Sequence, residues 1–204
     1  MIRSYVQSAV IRRSIVCLMI AVAVRQGPCC LGQTSRIASA FSAAEAELLL
    51  KVHNGERTAA GKPPLTWDPD LAAEAQAHAA RLAAAGGGLM HTPGGTLQRL
   101  NQGENLFATS SPNREQAVNH CAADWAREKI NRSTGRSIYV PNMTYRQYQS
   151  RYPGKVFGHW TQMIWGKTQK LGMGIAQVRT GPRRGGYVVV ARYFPGGNNV
   201  SQAP

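Results

Sequence analysis

Few side chains in this chain have types suited to chemistry beyond packing and solvation, and its five histidines come first among them. His159 stands in Gly158-His159-Trp160-Thr161-Gln162-Met163-Ile164-Trp165, where a histidine is joined to an amphipathic aromatic run that ordinary core packing would not require. His91 is a lone histidine upstream. Between them lie two short glutamate motifs, Gly103-Glu104-Asn105-Leu106 and Trp125-Ala126-Arg127-Glu128. Neutral imidazoles are good zinc ligands, while carboxylates ligate, orient a histidine or hold a water molecule. Each type also has a plainer use, since a buried polar group needs a hydrogen-bond partner whether or not it takes part in a site.

Other signatures of catalysis are missing. The sequence has no HExxH helix, GxSxG elbow or P-loop, and no cysteine in a recognisable catalytic setting. His53, Asn54 and Arg57 share a helix face by spacing and read as a scaffold network. His78, in an alanine-rich helix, and His120, beside Cys121, have solvent or packing roles. Trp160, Met163, Ile164 and Trp165 read as core around His159, with Thr161 and Gln162 as polar lining.

The elements that must carry these residues follow from caps and periodicity. Ser42-Ala43-Ala44-Glu45 is a capping box, so the folded domain begins near Ser42, and Leu48, Leu49, Val52 and Ala59 give the first helix an apolar face. Gly61 with Pro63-Pro64 ends it. Asp68 and Pro69 supply an N-cap and first-turn proline for an alanine-rich second helix, closed by Gly86-Gly87-Gly88. A loop holding His91 and Gly103-Glu104-Asn105 follows. Ser111-Pro112 opens a third helix, running through Trp125 and Glu128 to about Asn131. The polar segment 133–155 reads as a long excursion with short strands. Residues 170–180 and 187–194 read as two strands joined through Gly181-Pro182-Arg183-Arg184-Gly185-Gly186. Continuous apolarity from Tyr187 to Ala191 predicts a strand covered on both faces, hence helices on both sides of a sheet.

At 204 residues and 43% hydrophobic content the chain suits one domain. Residues 1–40 read as a secretory leader and 41–204 as the domain: Arg3, Arg12 and Arg13 precede an apolar run from Ile15 to Val24, with no acid before Glu45. That run is far shorter than the ~20 residues a bilayer span needs, so no transmembrane anchor is expected. Ala38-Ser39-Ala40 has the small-x-small form of a cleavage site but lies well beyond the apolar run. Cys29 and Cys30 raise a lipoprotein alternative, against which Gly27-Pro28 lacks the leucine of a lipobox. Localisation is therefore read as extracellular.

The 24 basic and 10 acidic residues give +14, and removing the five arginines of residues 1–40 leaves 19 against 10, or +9. That balance favours anionic surfaces. No nucleic-acid-binding module is recognisable, so nucleic acid is not expected as a partner. Arg179, Arg183 and Arg184 cluster at the expected hairpin tip.

The quoted motifs, with His53-Asn54-Gly55-Glu56-Arg57, Leu65-Thr66-Trp67-Asp68-Pro69-Asp70-Leu71-Ala72 and Tyr187 through Asn198, occur in an order that resembles the CAP superfamily of plant pathogenesis-related proteins, venom allergens and cysteine-rich secretory proteins. The resemblance runs from about residue 48 to 198. It implies an α+β fold, a three-layer α-β-α sandwich, and a cleft of two histidines and two glutamates falling on His91, Glu104, Glu128 and His159. In some relatives the histidine pair binds zinc, which would make His91 and His159 the metal ligands and zinc the cofactor. The resemblance also implies action by binding a lipid or sterol, a cell surface or a partner, in a defence or effector role. The alternative is a zinc-dependent hydrolase with Glu104 or Glu128 as base, for which two histidine ligands without an obvious third make a weak site. Lipid-contacting loops would lie in 133–155, where Tyr139, Tyr145, Tyr148 and Tyr152 offer amphipathic area. Relatives' cysteines fall here on Phe157, Met173 and Ala191, leaving Cys121 alone in the domain as a small buried apolar residue.

Overall fold

The structure, a computed structural model, describes residues 41–204; the leader, its cleavage site and Cys29-Cys30 lie outside the described residues. Helix α1 (Ala43–Ala59) opens on the expected capping box, in which Ser42 Oγ accepts from Glu45 N and Glu45 returns a carboxylate oxygen to Ser42 N. Helix α2 (Pro69–Ala84) is capped by Asp68 Oδ1, which accepts from the backbone of Asp70 and Leu71. Between them Thr66–Trp67 forms a two-residue strand, β1, where the sequence reading had only the approach to a helix.

The sheet has strand order β1-β3-β4-β2. Strands β3 (Lys170–Gln177) and β4 (Tyr187–Phe194) form the expected antiparallel hairpin, in register from Lys170↔Phe194 to Gln177↔Tyr187. Residues 103–109 differ from expectation. Rather than a loop they form β2 (Gly103–Thr109), an edge strand paired with β4 along its whole length. One side of this edge carries Glu104, which interrupts the alternation by which strands are recognised in sequence.

Alternation assigns β4's side chains to two layers. Val189, Ala191 and Tyr193 pack with α1 and with α4 (Arg114–Arg127), while Val188 and Val190 pack with α2. The protein is thus the three-layer α-β-α sandwich expected, with α2 on one face. Gly172 and Gly174 of β3 let α2 approach closely: a Cβ on Gly174 would lie 2.3 Å from the backbone of Gln76, and one on Gly172 2.2 Å from Ala72 N. Gln76 then exchanges both polar atoms of its amide with the backbone of Ile175, each at 3.0 Å, occupying groups that no strand reaches there.

Helix α4 begins at Arg114, not Ser111-Pro112, because Asn113 is the residue whose side chain caps it, accepting from Gln116 N. Two short helices were not foreseen, α3 (Gly94–Leu100) and α5 (Tyr145–Arg151). The second replaces the strands expected in 133–155, which holds only a single bridge residue, Ser137 paired to Ile130. Its signal was Thr144-x-x-Gln147, a second capping box. Helix α6 (Gly158–Met163) carries His159, and Trp160, Met163, Ile164 and Trp165 are all buried, as core residues should be. The apolar face expected of α1 is only partly one. Leu49 is buried but Leu48 is exposed, and the other deeply buried members are His53 and Arg57.

Candidate functional site

Glu104, the second residue of β2, lies on the face that also carries Arg192, its cross-strand partner on β4. Its side chain is fully buried. Oε1 accepts from His91 Nδ1 at 2.8 Å and from Thr92 N at 2.9 Å, and Oε2 accepts from Thr92 Oγ1 and from Arg192 Nη2, both at 3.0 Å. Burial alone would raise this carboxyl's pKa, but the hydrogen bonds from His91 and Thr92 and the charge of Arg192 outweigh it and hold the group below its ordinary value. Arg192 also donates to Gln102 Oε1 and Thr92 Oγ1, and its buried Nε has no partner among the described residues.

His78, assigned a solvent or packing role from sequence, joins this group from α2. Its Nε2 lies 3.0 Å from the Met90 carbonyl, so it carries the proton, and 3.6 Å from Glu104 Oε2. Nδ1 then accepts from Arg81 Nη2 at 3.3 Å. Burial lowers His78's pKa despite the neighbouring carboxylate, which keeps it neutral. His91 itself is more than half exposed at the rim.

The second pair is supplied by α4 and α6. Glu128, at the C-cap of α4, reaches the start of α6, where Oε2 accepts from the backbone N–H of His159 (3.0 Å) and Trp160 (3.1 Å). Phe157, the N-cap residue of α6, offers no side-chain acceptor, so a carboxylate from another helix satisfies those free donors. Oε1 of the same carboxylate lies 2.5 Å from His159 Nδ1. The Trp125 ring stacks on His159 at 5.9 Å and 24°. A groove of about 1010 Å³ adjoins Glu128, lined by Arg132, Tyr152, Lys155 and Val156 among others.

The four residues therefore form two histidine–glutamate pairs, and among the described residues no group of three or more His, Cys, Asp or Glu is placed to hold a metal ion. Both histidines direct Nδ1 at a carboxylate. With the proton on that nitrogen, Nε2 of each keeps its lone pair.

Beneath the pairs runs a buried network that spacing only hinted at. Asn105 Nδ2 donates to the His159 carbonyl at 3.0 Å and to the Tyr193 hydroxyl at 2.9 Å. That hydroxyl donates to His53 Nε2 at 2.9 Å, because His53 Nδ1 gives its proton to the Leu49 carbonyl at 2.7 Å. Burial pulls the His53 pKa down to about 4, and that of the Cys121 thiol nearby in the same core is pushed up to about 12. Arg57 donates to four carbonyls, those of Pro63, Met163, Trp165 and Thr168, which ties α1 to the segment after α6. Of the tyrosines in 133–155, Tyr148 is fully buried and donates to Val140, while Tyr139, Tyr145 and Tyr152 pack around the same cluster as Phe157 and Trp160. Their rings face the core more than solvent.

Comparison with known proteins agrees with this architecture. The family model described as "Cysteine-rich secretory protein family", CAP, matches residues 50–193. The chain is 32% identical over 157 residues to Pathogenesis-related protein 1B of Nicotiana tabacum, covering 76% of this chain and 77% of that protein. Among solved structures it is similar to Na-ASP-1, with a TM-score of 0.62 and 21% identity over 80% of this chain but only 41% of the other. It is similar also to NaASP2 with Zn2+, with a TM-score of 0.61 and 21% identity over 78% and 84%. These two likenesses speak to the fold alone. With most of the domain matched by the family model and by the tobacco protein, this chain belongs to the CAP family.

Proposed function

We propose that this CAP protein is secreted and acts by binding, in a defence or effector role, and that His91 and His159 are its divalent-metal ligands. The observation that carries the metal reading is the shared state of the two rings, Nδ1 held by a carboxylate and Nε2 left as the ligating nitrogen. Second-sphere carboxylates of this kind fix the tautomer and raise the basicity of a zinc-binding histidine. A bound zinc would supply a Lewis-acid centre with positions left for water or a partner's ligand. The NaASP2 structure, with its Zn2+, is consistent with the fold accommodating such an ion.

Binding is favoured over turnover because both carboxylates are already occupied. Glu104 accepts four hydrogen bonds or ion-pair contacts, and Glu128 accepts three that tie it to the ring and backbone of His159 and to Trp160, so both carboxylates are committed to positioning rather than to taking a proton from water. The zinc-dependent hydrolase remains the second reading, and loss of turnover in Glu128→Gln with folding intact would favour it. Lipid or sterol binding in 133–155 draws support from a shallow, open depression of about 560 Å³ lined by Val140, Pro141, Met143 and Arg151 among others.

Zinc titration by calorimetry decides the metal reading. Saturable binding in the parent, lost in His91→Ala/His159→Ala with an unchanged circular dichroism spectrum, is the expected result. Equal heats in both proteins would leave the two pairs as structural networks.

A further inference from the structure

The β3–β4 turn and the end of α2 are locked together. A Cβ on Gly181 would lie 3.1 Å from Gly86 Cα, and one on Gly87 would lie 2.7 Å from the Val178 side chain and 3.3 Å from Arg183 Cβ. Both glycines have positive φ, so side chains are disfavoured on conformational grounds too. Thr180 Oγ1 donates to the Ala84 carbonyl at 3.3 Å and Arg183 Nη1 to that of Gly87 at 3.4 Å. The junction is a preformed knuckle.

Two kinds of side chain stand out from it. Arg179 and Arg184 are exposed and Arg183 is half-buried. Leu89 is 49% and Met90 73% exposed, although the Met90 backbone is held by His78. No acid lies between Glu74 and Glu104, and none follows Glu128, so neither segment of the knuckle contains a carboxylate to offset the arginines. Cations attract anionic head groups, and apolar side chains among them enter the head-group boundary. A soluble polyanion would use the arginines and leave Leu89 and Met90 in water.

We infer that this knuckle, Leu89 and Met90 with Arg179, Arg183 and Arg184, docks the protein on an anionic phospholipid surface. The inference rests on the reading that the protein acts by binding, and it names a surface separate from the metal-ligand nitrogens. Since His91 follows Met90, docking would bring the exposed edge of the first histidine–glutamate pair to the head-group layer.

Co-sedimentation with phosphatidylcholine vesicles, with and without phosphatidylserine, tests it. The parent is expected to bind only the anionic vesicles, less so as salt rises. Arg179→Glu/Arg184→Glu should weaken that binding about tenfold or more, whereas Lys51→Glu/Lys167→Glu, the same charge change on exposed residues outside both the knuckle and residues 133–155, should weaken it less than about threefold. Leu89→Ser/Met90→Ser should also weaken it about tenfold. Absence of parent binding, or equal loss for the arginine pair and the lysine pair, overturns the inference. So does unchanged binding in Leu89→Ser/Met90→Ser, which would mark a general polyanion contact. His91→Ala/His159→Ala should keep its vesicle binding and Arg179→Glu/Arg184→Glu its zinc heats, so failure of the docking surface and failure of the metal reading are told apart.

Discussion

The side-chain amide of Asn105 donates to the carbonyl of His159 at 3.0 Å, and Asn105 is the residue after Glu104 on β2. Successive strand residues face opposite ways. Glu104 accordingly leaves β2 on the α2 side to hold His91, while Asn105 leaves it on the opposite side to hold the backbone of His159. One dipeptide of an edge strand therefore sets both histidines.

Asn105→Ala would leave two buried acceptors, the His159 carbonyl and the Tyr193 hydroxyl, without this donor. The expected loss of stability is about 1–3 kcal/mol, measured by urea unfolding. Amides of α6 should also exchange faster than those of α2 in native-state hydrogen exchange. Uniform protection in the two helices would mean that Asn105 does not position His159.

The approach of α2 to β3 makes opposite predictions for two glycines. In Gly174→Ala the new methyl would meet the Gln76 backbone at 2.3 Å, with no flexible side chain to give way, so a loss of about 1–3 kcal/mol or more is expected. Gly95, in α3, has only the far end of Arg99 within reach at 3.8 Å. Gly95→Ala should be neutral or gain up to about 1 kcal/mol from helix propensity. Thermal unfolding of the two variants should move in different directions; equal shifts would sink the packing account.

What was legible in the sequence was whatever is encoded locally. Caps at Ser42 and Asp68, the glycine stops and the apolar run 187–191 located α1, α2 and β4 because each signal lies within a few residues of the element it ends. Strand β2 was not legible, since its pairing partner is β4, some 90 residues away in sequence by the Glu104↔Arg192 register. The site residues came from their motifs, but their arrangement in pairs spans 13 and 31 residues and depends on the packed fold. Arg192 was the overlooked clue, being a cation inside an otherwise apolar strand and so in need of a buried acid. At the positions where relatives carry cysteines, Met173 and Ala191 sit directly across from each other and are fully buried, so packing fills the space.

His53 gives the stability a defined pH dependence. Its folded pKa is about 4 against an ordinary 6.5, so between those values the unfolded chain binds a proton that the native protein refuses. Stability must then fall as pH drops through this window, by up to roughly 3 kcal/mol, and its contribution is fully present above 6.5. His78, also lowered, acts in the same direction. Glu104 and Asp68, whose pKa values are depressed, add a separate loss below about 4.5 as they protonate. Urea unfolding at pH 7 and pH 5 should show a smaller difference in His53→Gln than in the parent. An equal difference would place the titration elsewhere.

The Arg192–Glu104 pair is the sharpest test of the site, because both side chains are almost wholly buried, at 4% and 0% exposure. Removing one partner of such a pair leaves the other charge uncompensated, at a cost of about 3–5 kcal/mol, whereas replacing both by apolar groups of similar volume is often far less costly. Glu104→Gln and Arg192→Met should therefore each be strongly destabilising. The double variant Glu104→Leu/Arg192→Met should be less so than the sum of its parts, although Thr92 would still lose its acceptor. Zinc heats add a readout that stability alone cannot give. In Glu104→Gln the amide oxygen can still accept from His91 Nδ1, so binding should weaken moderately, about 10- to 100-fold, as expected when an outer-sphere partner of a ligand is changed. If stability and zinc heats are both unchanged in Glu104→Gln, the carboxylate neither balances Arg192 nor orients His91.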